Sequence, residues 1–138
     1  MSLTTGRRRP PVLAGLLAAA VGCGPPPTTV EGTVRFQGRP VSGGTIYFLA
    51  PEGGRRAAWA PIQDGRYQIT RNQPAEPGVY RVEIRQPRPT GRRRPALFPA
   101  TQETEVFEES IPPAYNAESR FTATLAPGAN TCDFDLTP

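Results

Sequence analysis

The chain has 138 residues, of which 37% are hydrophobic and 20% are charged, and it contains 14 Gly and 18 Pro. Because Gly and Pro interrupt helices, this composition argues against a helical bundle and leaves two options, one β domain with many turns or partial disorder. The sequence has no His and all 16 basic residues are Arg, which excludes His-based zinc sites, Ser-His-Asp triads and Cys-His dyads.

The N-terminus has the pattern of a bacterial secretory signal. Three arginines at positions 7–9 precede the apolar run VLAGLLAAAV at 12–21, and Cys23 follows closely. As a helix this run would rise about 15 Å, half of the ~30 Å hydrocarbon core of a bilayer, so it is too short to span a membrane. The sequence therefore predicts a signal peptide over 1–22.

The tetrapeptide Ala20-Val21-Gly22-Cys23 resembles a lipobox. In bacterial lipoproteins the cysteine of this motif is diacylated, and the chain is cut just before it. The resemblance implies that Cys23 carries a lipid and that the protein is anchored to a membrane of the cell envelope, facing the periplasm or the surface. The alternative is an ordinary secreted protein that is cut near Ala20.

Removal of the signal changes the charge and leaves the second cysteine alone. The precursor carries a net charge of +4, but without positions 7–9 thirteen Arg face twelve acidic residues, so a nucleic-acid partner is not expected. If Cys23 carries a lipid, Cys132 has no partner in the chain and is expected to be buried in a strand. The alternative is a Cys23–Cys132 disulfide in a form without lipid.

The segment 23–29 contains three consecutive prolines and predicts an extended tether. The domain at 30–137 then reads as short strands between turns. Val30, Val34 and Phe36 alternate with polar residues, as in a half-buried strand. Seven segments are predicted as strands on such alternation or on an apolar run between turns: 30–36, 45–49, 57–62, 66–70, 79–85, 121–125 and 131–136.

The spacing of these strands predicts a seven-stranded antiparallel β-sandwich. The pair Asp64-Gly65 between two of them indicates a hairpin turn. The segment 86–119 breaks the pattern with six prolines and an arginine run, so it is predicted to be a long, partly mobile surface loop. Within it, the sequence IPPAYN at 111–116 is expected to dock back onto the domain.

Five segments together resemble carboxypeptidase regulatory-like domains: VEGTVRFQGRPVSGGTIYFLAPEGG, QDGRYQI, PGVYRVEI, IPPAYN and the closing FDL. Their order is similar to that in small lipoproteins of planctomycete-type bacteria, and the resemblance spans about 30–137. It implies a transthyretin-like, immunoglobulin-related sandwich that serves as an accessory, adhesive or structural module. It carries no catalytic residue set to this chain.

Arg92, Arg93 and Arg94 form a basic patch in the predicted loop. Because Arg pairs well with phosphates and sulfates, the patch is a candidate contact for lipid headgroups, lipopolysaccharide or an acidic glycan. The alternative is pairing with an acidic cluster a dozen residues later. That cluster lacks the spacing of a calcium loop, so no metal site is predicted, and its members are Glu103, Glu105, Glu108 and Glu109.

Two aromatic residues, Trp59 and Tyr115, lie in less regular segments and are candidates for stacking on a sugar. The alternative is that these two pack in the core with the remaining tyrosines, Tyr47, Tyr67 and Tyr80.

The residues taken together predict a non-enzymatic, envelope-anchored lipoprotein without a cofactor. Its β-sandwich would present a binding or structural module, with the membrane as one partner and an envelope protein or a glycan as another. Two alternatives stay open: a secreted or periplasmic carbohydrate-binding module, and a subunit of a surface assembly that pairs through an exposed edge strand.

Overall fold

The structure, a computed structural model, describes residues 24–51, 56–72, 74–99 and 101–138. The predicted signal peptide at 1–22 and the lipidation candidate Cys23 lie outside these residues. The described chain forms eleven strands and one 3-10 helix at Pro113–Tyr115. The strands are β1 Thr29–Phe36, β2 Arg39–Pro40, β3 Thr45–Leu49, β4 Arg56–Pro61, β5 Arg66–Ile69, β6 Gly78–Arg85, β7 Pro87–Pro95, β8 Glu103–Glu109, β9 Thr122–Leu125, β10 Ala129–Thr131 and β11 Phe134–Leu136.

The strands build two packed sheets and a separate hairpin. In the five-stranded sheet, β1 is central, with β5 and β2 along one edge and β10 and β11 along the other. The four-stranded sheet has the order β4-β3-β6-β9 and is antiparallel throughout. The strands β7 and β8 pair only with each other in the described chain.

The predicted all-β sandwich is confirmed, and each predicted strand segment contains a strand. Two pairings differ from the antiparallel expectation, because β1 runs parallel to both β10 and β11. Parallel neighbours need a long connection, and nearly the whole domain lies between these strands. Short-range alternation therefore predicts the strands but not this return of the chain beside its first strand.

The core lies between the inner faces of the two sheets. Val30 and Val34 of β1 face Phe48, Val82 and other buried residues of the four-stranded sheet. Aromatic rings join the layers at Phe48, whose ring lies 6.2 Å from that of Tyr67 in β5 of the other sheet. The Phe48 ring also lies 6.2 Å from that of Tyr80 in β6 of its own sheet. Core packing is thus the correct interpretation for two of the tyrosines.

The predicted turn at Asp64-Gly65 is present and connects the two sheets. Asp64 has φ 49° and Gly65 has φ 75°, as in the primed turns that suit a two-residue hairpin. The backbone N–H of Arg66 donates to the Gln63 carbonyl at 2.9 Å, and the backbone N–H of Gln63 donates to the Arg66 carbonyl at 2.9 Å. This turn lies between β4 and β5, so the chain passes from the four-stranded sheet to the five-stranded sheet there.

The five-stranded sheet contains a close backbone contact at Gly32. A Cβ at this position would lie 1.8 Å from the Cys132 carbonyl oxygen, and the Tyr67 ring covers the same spot. The Tyr67 hydroxyl donates to that carbonyl at 2.8 Å. Cys132 sits in the gap between β10 and β11 and is half-buried, which corrects the prediction that it is a buried strand residue.

The prediction of a long loop at 86–119 is wrong, because β7 and β8 form an antiparallel ladder there. The proline content suggested a loop, yet proline is tolerated on an edge strand where the missing N–H would face solvent. Pro87, Pro89 and Pro95 all occupy paired positions of β7. The ladder has a register shift between Pro89 and Arg93, so the strand bends there.

The segment 111–116 docks back onto the sandwich, as predicted. Ile111 is part of the buried core, and Asn116 is buried beside it. The Asn116 side-chain amide donates to the Ile111 carbonyl at 2.9 Å and to the Pro112 carbonyl at 3.1 Å. These bonds close the segment on itself and fix Tyr115, the residue before Asn116.

The predicted tether at 23–29 ends earlier than expected. Thr28 is buried and forms a β-bridge with Ala75, and β1 begins at Thr29. Residues 24–27 are exposed and outside the strands. The threonines after the prolines therefore belong to the sandwich, and the exposed spacer in the described chain is short.

Candidate functional site

The hairpin of β7 and β8 leaves the end of the sandwich opposite the start of β1. At one end of the domain, the first residues of β1 pair with the end of β5. At the other end, the last residue of β6 pairs with the first residue of β3, which also pairs with the last residue of β4. The turn from β4 into β5 lies at this second end. The hairpin begins at Pro87, directly after β6. The chain thus enters at one end of the domain, and the hairpin leaves from the other.

The base of the hairpin is held by partly buried hydrogen bonds. The backbone N–H of Gln86 donates to Glu109 Oε1 at 2.6 Å, and the Ser110 hydroxyl donates to the Gln86 carbonyl at 2.7 Å. The Gln86 side chain reaches the Ser42 hydroxyl at 3.3 Å. Because Gln86 is buried, these contacts anchor the hairpin to the sandwich. Gln86, Glu109 and Ser110 gave no signal for this role in the sequence.

The candidate arginines lie on the hairpin together with the acidic cluster. Arg93 is opposite Glu105 in the ladder, and its guanidinium lies 3.8 Å from Glu103 Oε2. Arg88 is opposite Glu108 at the other end of the hairpin. Of the three arginines in the basic patch, Arg93 thus lies beside members of the acidic cluster, as the alternative interpretation expects. Opposite charges on facing strands stabilise a ladder, so Arg93 contributes to the pairing of β7 with β8.

Arg92 and Arg94 are also exposed on β7. Arg94 is opposite Thr104, and Arg92 lies in the register shift, where its backbone N–H donates to the Thr90 hydroxyl at 3.2 Å. Four arginines and four glutamates stand on the two strands, so the ladder as a whole carries no net charge. This balance weakens the case for an anionic lipid or glycan at the arginine run.

The tip of the hairpin is apolar. Leu97 is 99% exposed and Phe98 is 94% exposed. Phe107 of β8, which is opposite Pro89 near the base of the hairpin, is 58% exposed. The tip is held by a bond from the backbone N–H of Ala96 to the Gln102 carbonyl at 2.7 Å. Exposed apolar side chains on an ordered, projecting element are typical of a contact surface.

Trp59 lies on the outer face of the four-stranded sheet. Its neighbours Ala58 and Ala60 are buried, whereas Trp59 is 46% exposed. In the ladder it is opposite Tyr47 of β3, which in turn is opposite Glu83 of β6. Tyr47 is half-buried and points away from the core. The expectation that Tyr47 packs inward is therefore wrong, since Ile46 and Phe48 take the inner face.

Tyr115 has a different environment and does not share a platform with Trp59. Its ring stacks on that of Phe121 with centroids 5.3 Å apart, and Phe121 packs on Phe134 in the core. Its hydroxyl donates to the Thr137 carbonyl at 2.6 Å and accepts from the Thr137 N–H at 3.0 Å. Tyr115 therefore fixes the C-terminal segment to the sandwich and borders a hollow of about 600 Å³.

A broader, open hollow of about 920 Å³ lies over β1 and β5. Asp133 borders it and accepts hydrogen bonds from the Thr33 N–H at 2.7 Å and the Thr33 hydroxyl at 2.8 Å. These bonds lower the pKa of Asp133 below its usual value. Burial raises the pKa of Tyr67, so its hydroxyl remains a protonated donor to the Cys132 carbonyl. The side chains of Thr33, Tyr67 and Asp133 therefore form hydrogen bonds within the sheet.

The described residues also give information on the second cysteine, on metal-ligand clusters and on membrane-spanning helices. Cys132 is a free thiol whose pKa is raised by partial burial and by Asp133, and it has no disulfide partner among the described residues. In the same part of the chain, no three side chains of the His, Cys, Asp and Glu types converge as metal ligands would. None of the helices described there is long and apolar enough to cross a membrane.

No protein-family model matches the chain, and no curated protein matches it. The resemblance to carboxypeptidase regulatory-like domains therefore remains a prediction. Three features of the molecule bear on its function: the N-terminal end of β1, the projecting hairpin and the outer face of the four-stranded sheet.

Proposed function

We propose that the protein is a non-catalytic lipoprotein of the cell envelope that presents a β-sandwich binding module close to a membrane. Cys23 carries the lipid in this proposal, and the membrane is the first partner. The signal-like sequence before Cys23 supports the anchor. A diacyl group supports durable attachment, whereas a single acyl chain gives only marginal binding.

The observation that carries the proposal is the polarity of the sandwich. The N-terminal strand begins at one end, beside the bridge between Thr28 and Ala75, and the hairpin leaves from the opposite end. An anchor before β1 therefore directs the hairpin away from the membrane. The nine residues of β7 extend about 30 Å at strand spacing, so Leu97 and Phe98 are well placed to meet a partner at a distance.

The short spacer supports a domain held near the bilayer. Residues 24–27 read Gly-Pro-Pro-Pro and are exposed before the buried Thr28. In an extended polyproline conformation they cover about 12 Å, at roughly 3.1 Å per residue. The spacer is also stiff, so the domain keeps its orientation relative to the anchor.

A second candidate function is a secreted or periplasmic carbohydrate-binding module, and the exposed Trp59 favours it. The indole lies on a sheet face rather than in the core, where it is 46% exposed. Aromatic side chains supply large contact area at little entropic cost, which suits a binding surface. This candidate needs no lipid anchor.

Two cysteine variants of the full chain test the anchor in the native host. Cys23→Ser removes the lipid acceptor, and Cys132→Ser is the matched control because it also removes one thiol. We expect wild type and C132S in the membrane fraction and C23S in the soluble fraction. If all three proteins are soluble, the anchor proposal is wrong and the soluble module takes its place. If C23S stays with the membrane, a lipid on Cys23 is not what holds the protein there, and the anchor proposal is also wrong.

A further inference from the structure

We propose that the outer face of the four-stranded sheet binds an acidic saccharide, with Trp59 as the stacking platform and Arg81 and Arg85 as the groups that bind the carboxylates of the sugar. The inference rests on the proposed binding role, whose membrane anchor is tested separately. It assigns a ligand class and residues to one face of the sandwich.

The face is a row of three side chains across three strands. Trp59, Tyr47 and Glu83 are successive partners in the ladders of β4, β3 and β6. Each lies between residues that point into the core, so all three stand on the same outer surface. Neighbouring strands are about 4.8 Å apart, so the row spans roughly 10 Å, a length that suits two linked sugar rings.

The polar end of this row is an arginine fork around Glu83. Arg81 binds Glu83 Oε1 at 3.0 Å, and Arg85 binds Glu83 Oε2 at 2.9 Å. The Glu83 side chain is 11% exposed, whereas the side chains of Arg81 and Arg85 are 37% and 38% exposed. Glu83 therefore holds both guanidiniums in place while part of each remains open to solvent.

The charge of the fork selects the ligand. Two guanidiniums share one carboxylate, so the group carries one net positive charge beside the aromatic pair. Each arginine presents several N–H groups, and each salt bridge to Glu83 is recorded through a single nitrogen. Arginine binds carboxylates in a bidentate geometry, so a uronic acid suits the remaining donors better than a neutral sugar.

A ligand approaches these groups from the sheet face. Arg85 Nε is shielded from solvent and has no hydrogen-bond partner in the described part of the chain, so an arriving carboxylate would meet the exposed part of the Arg85 side chain and not Nε. A peptide partner would be expected at a strand edge through main-chain bonds, whereas these groups stand on a sheet face.

Trp59 makes the proposal directly measurable, because it is the only tryptophan in the chain. The full chain is titrated with oligogalacturonate, and the indole emission reports contact at this face. We expect a saturable change in emission with oligogalacturonate, a weaker response at high salt, and a response at least tenfold weaker with a neutral cello-oligosaccharide of equal length.

Three variants test the residues themselves. Arg81→Gln leaves Arg85 to hold Glu83 and keeps the indole reporter, so it is read by the same titration. Trp59→Ala is read by retardation in gels that contain polygalacturonate, with Phe107→Ala as a matched control because its ring is 58% exposed on the hairpin. Circular dichroism verifies that each variant is folded.

We expect R81Q and W59A to lose at least tenfold in affinity, and F107A to bind as the wild type does. Absence of binding to oligogalacturonate, equal binding of the neutral sugar, or undiminished binding by folded W59A would each overturn the proposal. Binding lost equally in F107A would move the contact to the hairpin. Each of these results leaves the membrane anchor untouched, because the distribution of C23S decides that point independently.

Discussion

Gly32→Ala tests the closest backbone contact in the five-stranded sheet. The added Cβ would lie 1.8 Å from the Cys132 carbonyl oxygen, which is backbone and cannot rotate away. Relief requires the segment between β10 and β11 to move from β1. That movement breaks the bond from the Cys132 N–H to the Glu31 carbonyl at 2.9 Å and strains the Tyr67 hydroxyl bond at 2.8 Å.

The expected cost follows from these contacts. Overpacking in a well-packed region costs about 1–3 kcal/mol, and the two hydrogen bonds contribute about 1 kcal/mol each. The free energy of unfolding should therefore fall by about 3–5 kcal/mol. For a domain of this size the Tm should drop by about 12 °C or more. Gly32 has no positive φ, so the loss measures the close contact and not backbone strain.

Gly43→Ala is the matched control. A Cβ at Gly43 meets no atom within 4 Å, and Gly43 also has no positive φ. Urea and thermal unfolding, followed by circular dichroism and Trp59 fluorescence, give the free energies. We expect G43A to equal the wild type or to be slightly more stable, because alanine reduces the entropy of the unfolded chain. A loss below 1 kcal/mol in G32A would refute the reasoning about this contact.

The remaining predictions concern a carboxylate, the hairpin tip and the docked segment. Thr33→Val removes one of the hydrogen bonds that hold the pKa of Asp133 below its usual 3.8. A lowered folded-state pKa adds stability above the unfolded pKa, so urea titrations should show the wild type more stable than T33V at neutral pH. That gap should close as the pH falls through the folded pKa. Replacing both Leu97 and Phe98 by Ser should change the free energy of unfolding by less than about 0.5 kcal/mol, because both side chains are exposed, while light scattering at high concentration should fall. Asn116→Ala should cost about 1–3 kcal/mol in thermal unfolding, because it removes the side-chain donor to the buried Ile111 carbonyl, whereas the Pro112 carbonyl keeps the Tyr115 N–H as a donor.

The sequence predicted the strands well because alternation is a local signal. The predicted strand at 79–85 corresponds to β6, in which Tyr80, Val82 and Ile84, at every second position, are buried. The turn at Asp64-Gly65 was also predicted from the sequence, and both residues adopt the positive φ that this pair favours. Such features depend on neighbours within a few positions of the chain.

Features set by distant residues were not predicted. The parallel pairing of β1 with β10 and β11 joins the two ends of the domain, and no local pattern encodes it. The ladder of β7 and β8 was not predicted, because its prolines favoured a loop. The opposite charges of Arg93 and Glu105, which face each other in the ladder, were the sequence feature that could have indicated it. Charges of opposite sign at matched distances from a turn predict facing strands.

The candidate binding residues were found only in part. Trp59 was singled out, but Tyr115 belongs to the packing around the C-terminus. Tyr47 could have been placed on the outer face, because it alternates with the apolar Ile46 and Phe48. The fork around Glu83 depends on three residues of β6 at every second position, which is the spacing of one face of a strand.

The most direct test of the central claim is the intact mass of the protein recovered from membranes of its native host. The lipoprotein account predicts a chain that starts at Cys23 and carries the added mass of its acyl groups. An unmodified chain that starts elsewhere would contradict the anchor, free Cys23 for a disulfide with Cys132, and favour a soluble carbohydrate-binding module.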